Sequence, residues 1–190
     1  MLYFVSTLQG TYHRDAKLDM LLGRMAQHDT GALEAFYKDT KGAVFAYALS
    51  ILKNPYEAED VMQETYLSIY SAAGKYHSTG KPMAWVITIT KNHCLQRIRE
   101  QSRFDPRPWE ELDLYLENKE TLSVENKEVI SYCLKQLKEE EQQILLLHTI
   151  SGMKHREIAA LMGLALPTVL SKYNRALKKL KEKLRDDSVK

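Results

Sequence analysis

Six polar side chains near the end of the chain are spaced to share one face of a helix, where they could hydrogen-bond to nucleic acid. They are Thr168, Ser171, Lys172, Arg175, Lys178 and Lys179. The opposite face is apolar and comprises Val169, Tyr173, Ala176, Leu177, Leu180 and Leu184. At about 100° per residue, this pattern predicts a helix that packs on one side and can enter a major groove with the other. Its basic side chains would attract phosphates.

The segment "HREIAALMGLALPTVLSKY" has the spacing of a helix-turn-helix unit. Ala159 allows a close helix contact, Gly163 supplies the positive φ of the turn, and Val169 anchors the second helix. Over residues 151–190, ten basic side chains stand against four acidic ones. The alternative is a basic amphipathic helix whose polar face is only solvated. The agreement of spacing and charge favours a DNA reader.

The composition of the chain limits the kind of fold that can position this helix. The chain has 190 residues, 44% of them hydrophobic, and a net charge of +2, so it suits two small packed domains rather than a chain that coats nucleic acid. Eight glycines, five prolines and apolar residues recurring every three or four positions predict an all-α fold. The β-branched run "WVITIT" at 85–90 has no partner strand, so we predict a buried helix there.

Capping signals and charge divide the chain into segments. Asn54 is suited to an N-cap, with Pro55 at the first helical position and Glu57 at the capping-box position. The stretch 104–127 carries seven acids and three bases, which is a linker composition. We predict an N-terminal extension of unassigned role (1–17), a helical domain (18–103), the acidic linker (104–127), a helix-turn-helix domain (128–185) and a tail (186–190).

The residues give little support for a disulfide framework, a metal site, catalysis or membrane insertion. Cys94 and Cys133 are too few and too far apart for a disulfide framework or a zinc site. The six histidines include no pair at metal-ligand spacing with a nearby acid, and no glycine-rich phosphate loop is present. We therefore expect no enzyme activity, metal or cofactor. No apolar run is long enough to be a signal or to span a bilayer, so we expect a cytoplasmic protein without membrane insertion.

Four segments in order carry a family resemblance: "LLGRMAQHDTGALEAFY", "AEDVMQETYLSIY", "MAWVITITKNHCLQRIR" and the helix-turn-helix unit. Together they resemble a bacterial sigma factor of the small extracytoplasmic-function (ECF) type, over about residues 18–184. The resemblance implies a first domain that docks on RNA polymerase core and opens the promoter, joined by a linker to a second domain that reads the upstream promoter box.

The resemblance also implies roles for particular residues. The helix around "DVMQE" would dock on the polymerase β′ clamp through Asp60, Gln63, Glu64 and Leu67. Without the resemblance, a solvated acidic face explains that helix equally well. The loop 76–82 would hold an extruded base or its phosphate, and the next helix would meet DNA. The residues in question are Tyr76, His77, Lys81, Asn92, Arg97, Arg99 and Arg103.

The partners implied by the resemblance are RNA polymerase core (the β′ clamp and the β flap), promoter DNA and an anti-sigma factor, with a monomer as the free state. Three features depart from the family pattern and bear on promoter preference and binding strength. Gln96 stands where an acid is common, "REQSR" at 99–103 is less basic than the usual arginine-rich end, and Leu170 stands where lysine is frequent. The rival is a stand-alone helix-turn-helix regulator, which would bind duplex DNA as a dimer on two half-sites.

Overall fold

The computed structural model describes the backbone over residues 2–100 and 124–187, and the side chains over 14–100, 127 and 130–182. Within these ranges the chain forms eight α-helices, one 3-10 turn and no strand. The predicted all-α fold is confirmed. Residues 101–123, which include Arg103 and most of the predicted acidic linker (104–127), lie outside the described residues.

Four helices build the first half. They are α1 (Leu2–Met25), α2 (Thr30–Leu52), α3 (Pro55–Ala72) and α4 (Pro82–Glu100), with the 3-10 turn Ala73–Lys75 after α3. The Asn54 side chain caps α3 by accepting from the backbone N–H groups of Tyr56 and Glu57. The "WVITIT" run lies inside α4, so the helix predicted for it is confirmed. The extension at 1–17 is helical from Leu2 as part of α1.

Four more helices form the second half: α5 (Val124–Gln136), α6 (Glu139–Thr149), α7 (His155–Met162) and α8 (Leu166–Asp187). The first of them begins inside the stretch 104–127 that composition assigns to the linker. Gly163 ends α7 with a φ of 67°, and Val169 is fully buried at the start of α8. The turn at Gly163 and the buried Val169, which the helix-turn-helix spacing predicts, are therefore both present in the structure.

Helix α2 lies at the centre of the molecule. Every residue from 43 to 50 is buried, because α1, α3 and α4 pack around this part of α2 and α6 of the second half covers a further side. The sequence accounts for this, since no charged residue stands between Lys41 and Lys53. A helix that is apolar all round must be covered all round. The two halves consequently share one continuous hydrophobic core.

Candidate nucleic-acid and docking surfaces

The outward face of α8 is the candidate DNA-reading surface. Ser171, Arg175 and Lys178 are exposed on it, as predicted, whereas Thr168 is only half-exposed near the start of the helix. The same face also exposes Leu170 and Asn174. Asn174 was not among the six predicted side chains, although its position three residues after Ser171 and four before Lys178 was a usable signal. An asparagine amide can pair with an adenine edge.

Acids at the start of α6 hold the other two basic side chains of the predicted reading face. Lys172 Nζ lies 2.6 Å from Glu140 Oε2, and Lys179 Nζ lies 2.9 Å from Glu141 Oε2. Glu141 is almost fully buried. Burial opposes its ionisation, but the hydrogen bond and charge of Lys179 and the charge of Arg175 hold its pKa below the ordinary value. Lys172 and Lys179 therefore brace the reader helix against α6, whereas Arg175, 60% exposed, and Lys178 face outward.

Three aromatic rings join the helices of the second half. His148 on α6 and His155 on α7 stack with their centroids 4.2 Å apart, and Tyr173 of α8 meets both edge-on. The Nδ1–H of His148 donates to the carbonyl of Met153 at 2.9 Å. Burial, and then the neighbouring His148, lower the pKa of His155. The contacts within this cluster fix the angle of α8 relative to α6 and α7.

The loop before α4 is fastened at one end. The Tyr76 hydroxyl donates to Asp19 of α1 at 2.5 Å, Ser78 donates to the same carboxylate at 2.8 Å, and the Tyr76 ring lies 4.8 Å from that of Trp85. Burial and the hydrogen bond to Asp19 raise the pKa of Tyr76. Tyr76 thus holds the loop in place.

Four other residues of the predicted melting region are exposed. His77 and Lys81 are exposed in the loop, and Asn92 and Arg99 are exposed on α4. The predicted contact of these four side chains with DNA stays a prediction.

Arg97 of α4 faces α3 instead of solvent. Its guanidinium lies 2.6 Å from Glu57, 2.5 Å from Glu64 and 3.7 Å from Asp60. Only 18% of its side chain is exposed. The structure therefore shows Arg97 as the link between the predicted docking helix and the predicted melting helix; its predicted contact with DNA stays a prediction.

The candidate docking surface is the outer face of α3. Asp60, Gln63 and Leu67 are exposed there at helical spacing, and 73% of Leu67 is open to solvent. Glu64 is turned partly inward toward Arg97 and toward His93, whose Nε2 is bonded to Ser68. Asp60, Gln63 and Leu67 thus form one exposed face with acidic, amide and apolar side chains.

Groups suited to other chemistry are buried or scattered. Burial raises the pKa of the Cys94 and Cys133 thiols to about 12, so both remain protonated. Across the described ranges, no three His, Cys, Asp or Glu side chains are grouped so as to hold a metal ion. In the same ranges no helix is long and apolar enough to cross a membrane.

Two family models match the chain, in the predicted order. "Sigma-70 region 2" matches residues 36–104, and "Sigma-70, region 4" matches residues 127–180. Together they cover more than half of the 190 residues.

Curated relatives and solved structures agree with these matches. An ECF RNA polymerase sigma factor, SigK of Mycobacterium tuberculosis (strain H37Rv), is 27% identical over 92% of this chain and 97% of its own length. SigK of Mycobacterium sp. (strain KMS) is 25% identical over 86% and 89%.

Among solved structures, CnrH in complex with the cytosolic domain of CnrY has a TM-score of 0.59 at 20% identity, over 90% of this chain and 99% of its own. The sigma factor RpoE in complex with the anti-sigma factor NepR from Bartonella quintana has a TM-score of 0.54 at 22% identity, over 75% and 90%. At these identities the structural likeness concerns the fold.

Proposed function

The chain belongs to the sigma-70 family and directs RNA polymerase to promoters, and from this premise we propose how its surfaces divide the work. The α3 face formed by Asp60, Gln63 and Leu67 docks on the core enzyme. The loop at 76–81 and α4 hold the displaced DNA strand. The α8 face formed by Ser171, Asn174, Arg175 and Lys178 reads the upstream promoter box.

The observation that carries this division is the separation of the exposed surfaces. The acidic and apolar docking face lies in the first half of the chain, and the outward basic face lies in the second. Acids and an exposed leucine suit a protein partner with basic and apolar side chains, whereas lysine and arginine suit phosphates. Each surface thus matches a different partner.

Promoter opening needs no catalytic group in this proposal. Extruding a base costs a few kcal/mol of stacking and pairing, and binding of that base by the loop and of the displaced strand by basic side chains offsets the cost. The exposed His77, Lys81 and Arg99 supply such contacts. The protein therefore acts by binding alone. It does so in the cytoplasm, where RNA polymerase and the chromosome are.

We further propose an anti-sigma partner for this chain. The two solved relatives are each bound to another protein, CnrY in one case and the anti-sigma factor NepR in the other. A partner of that class would mask the exposed leucine and isoleucine side chains of α3 and α4, which are Leu67, Leu95 and Ile98.

Transcription from genomic fragments tests the proposal. Core RNA polymerase is mixed with the wild-type chain, with an Asp60→Ala, Gln63→Ala double variant, or with a Lys38→Ala control, which removes a surface ion pair within α2. We expect discrete start sites with the wild type and the control, and their loss with the double variant. No discrete starts with a cognate core, together with dimeric binding to duplex DNA, would favour the stand-alone regulator instead.

A further inference from the structure

Asp19 of α1 lies outside both matched regions of the chain, yet its carboxylate holds the loop that we assign to the displaced DNA strand. We propose that Asp19 is a positioning residue for strand capture. It holds Tyr76 and Ser78, so that the residues between and after them are presented to an extruded base, and it favours promoter opening without contacting DNA itself. This inference rests on the proposed function, which assigns the loop to DNA.

The loop has few backbone contacts of its own. Within the described ranges, no backbone-to-backbone hydrogen bond involves residues 77–80. Backbone contacts fix its two ends, where the Tyr76 N–H donates to the carbonyl of Ala73 at 3.1 Å and the carbonyl of Lys81 accepts from the first turn of α4. Gly80, with a φ of 67°, permits the turn between these ends. The conformation of the loop therefore depends on its side-chain contacts.

Asp19 supplies two of these side-chain contacts. Its Oδ1 accepts from the Tyr76 hydroxyl at 2.5 Å and its Oδ2 accepts from the Ser78 hydroxyl at 2.8 Å, so each carboxylate oxygen holds one loop residue. Hydroxyl donors form short, strong hydrogen bonds with an ionised carboxylate. In the described part of the chain, both hydrogen-bond partners of this carboxylate belong to the loop. Asp19 therefore joins α1 to the loop.

The elements on either side of the loop are firmly packed. Leu18 and Leu22 of α1 are fully buried in the core, and Asp19 lies half-buried beside them. The Tyr76 ring packs on its other side against Trp85 of α4, with the ring centroids 4.8 Å apart. The start of the loop is thus held between α1 and α4, which gives it a fixed position before any DNA is bound.

The two hydrogen bonds also set the direction of the side chain between them. Tyr76 has extended backbone, with φ −72° and ψ 125°, and successive side chains on extended backbone point to opposite sides. Because Tyr76 and Ser78 both point toward Asp19, His77 points away from it and is exposed. Thr79 also approaches the Tyr76 hydroxyl through its backbone and its side chain. Without Asp19, the loop would have to be ordered at the moment of strand capture, which weakens binding.

A role in positioning and a role through charge predict effects of opposite sign. Asp19 is a negative charge beside a loop that we assign to a polyanion. If charge alone decided, removing it should strengthen DNA binding. Positioning predicts that removing it slows promoter opening, because part of the binding energy is then spent on ordering the loop. The sign of the effect therefore distinguishes the two roles.

The rate of promoter opening by the complete polymerase complex tests the proposal. Asp19→Asn keeps the size of the side chain but leaves one acceptor oxygen for two hydroxyl donors. Permanganate reactivity of unpaired thymines follows opening over a series of complex concentrations. We expect the maximal rate to fall about tenfold, as for the loss of a hydrogen bond to a charged group. The half-saturating concentration, which reports on duplex binding before opening, should stay at the wild-type value.

Two further variants keep the test specific. Asp39→Asn is the matched control, because it removes one negative charge from the same half, where Asp39 pairs with Lys17 instead of a loop residue. It should open promoters like the wild type. Tyr76→Phe keeps the ring and removes the hydroxyl, so it breaks the same link and tests it even if Asp19→Asn does not fold. Combined with Asp19→Asn, it should add less than its effect alone.

The remaining outcomes separate this inference from the proposed function. Opening by Asp19→Asn that is faster than the wild type, or equal to that of Asp39→Asn, would overturn the positioning role while the sigma function stands. A parallel fall in core binding and in Tm would overturn it too, since Asp19 would then only stabilise the first half. No opening by the wild-type complex with a cognate core would overturn the proposed function, and with it the role of the loop.

Discussion

The guanidinium of Arg97 lies 2.6 Å from the carboxylate of Glu57, forty residues away in the sequence. It joins α4, which carries the predicted strand-binding residues, to α3, which carries the predicted docking residues. With Glu64 at 2.5 Å, the arginine bridges two turns of α3. The predicted docking helix and the predicted strand-binding helix are thereby held at a fixed angle.

Replacing Arg97 should destabilise the first half. Arg97→Ala leaves Glu57 and Glu64 without their cation, and we expect a loss of about 2 kcal/mol in the free energy of unfolding. For a chain of this length that corresponds to roughly 4–8 °C in Tm. Arg99→Ala, at an exposed position on the same helix, should change the free energy by no more than about 0.5 kcal/mol. Thermal melts that agree for the two variants would show that Arg97 is not a structural link.

Leu67 should contribute to polymerase binding without contributing to stability. Its side chain is 73% exposed, so Leu67→Ala removes little buried surface and Tm should stay near the wild-type value. At a docking interface the same truncation should weaken binding to core by about 1–3 kcal/mol, roughly 5- to 150-fold. Met20→Ala is the matched control, since Met20 is a 56% exposed apolar side chain on α1. Equal core affinities for the two variants, measured by fluorescence anisotropy, would place docking elsewhere.

Local patterns in the sequence were sufficient for the fold. The cap at Asn54, the helical "WVITIT" run and the turn at Gly163 each depend on residues within one or two helical turns, and the structure has all three. The exposure of the predicted docking residues on α3 also follows from helical spacing. Local signals of this kind can be read without knowing which helices pack together.

Contacts between helices that are distant in the sequence account for the side-chain positions that local patterns did not predict. Arg97 and Tyr76 have side chains that suit DNA, yet Arg97 meets α3 and Tyr76 meets Asp19, 57 residues away. Lys172 and Lys179 lie on the polar side of α8 as predicted, but acids at the start of α6 hold them. Periodicity places a side chain on a face of its helix; it does not say which helix stands opposite that face.

The basic residues of α8 should differ in their effect on promoter binding. Arg175 and Lys178 are 60% and 78% exposed and lie 3.8 Å from Glu141 and Glu182, so removing either should lower the slope of log K against log salt by about 1. Lys172 is paired with Glu140, so Lys172→Ala should change that slope less. The measurement is binding of the complete polymerase complex to a promoter fragment over a series of KCl concentrations. Equal slope changes for all three variants would mean that Glu140 releases Lys172 to the DNA.

Gly163 should be replaceable only at a conformational cost. Its φ of 67° is disfavoured for residues with a Cβ, but a Cβ added there would have no neighbour within 4 Å. Gly163→Ala should therefore lower the unfolding free energy by about 1–2 kcal/mol through backbone strain alone. Gly163→Asn should cost less, because asparagine tolerates this conformation better. Thermal melts in which alanine and asparagine cost the same would indicate that space, not φ, limits the position.

Acidification should destabilise the helix-turn-helix half through protonation of His155. Its pKa in the folded chain is lowered by burial and by His148, so below about 6.5 the unfolded chain binds more protons than the folded one. This contribution to stability is complete above about pH 6.5 and is lost as pH falls through the lowered folded pKa. Asp15, whose pKa burial raises, works in the opposite sense at lower pH, so the comparison must be made between variants.

We expect the wild type to lose more stability than His155→Gln between about pH 7.5 and pH 5.5, because glutamine does not titrate. The measurement is urea unfolding followed by circular dichroism at both pH values. His28→Gln is the matched control, since His28 is exposed at the end of α1 and far from the ring cluster in sequence, and it should keep the wild-type dependence. If His155→Gln keeps that dependence as well, protonation of His155 does not destabilise the ring cluster. His155 then does not set the acid stability of the helix-turn-helix half.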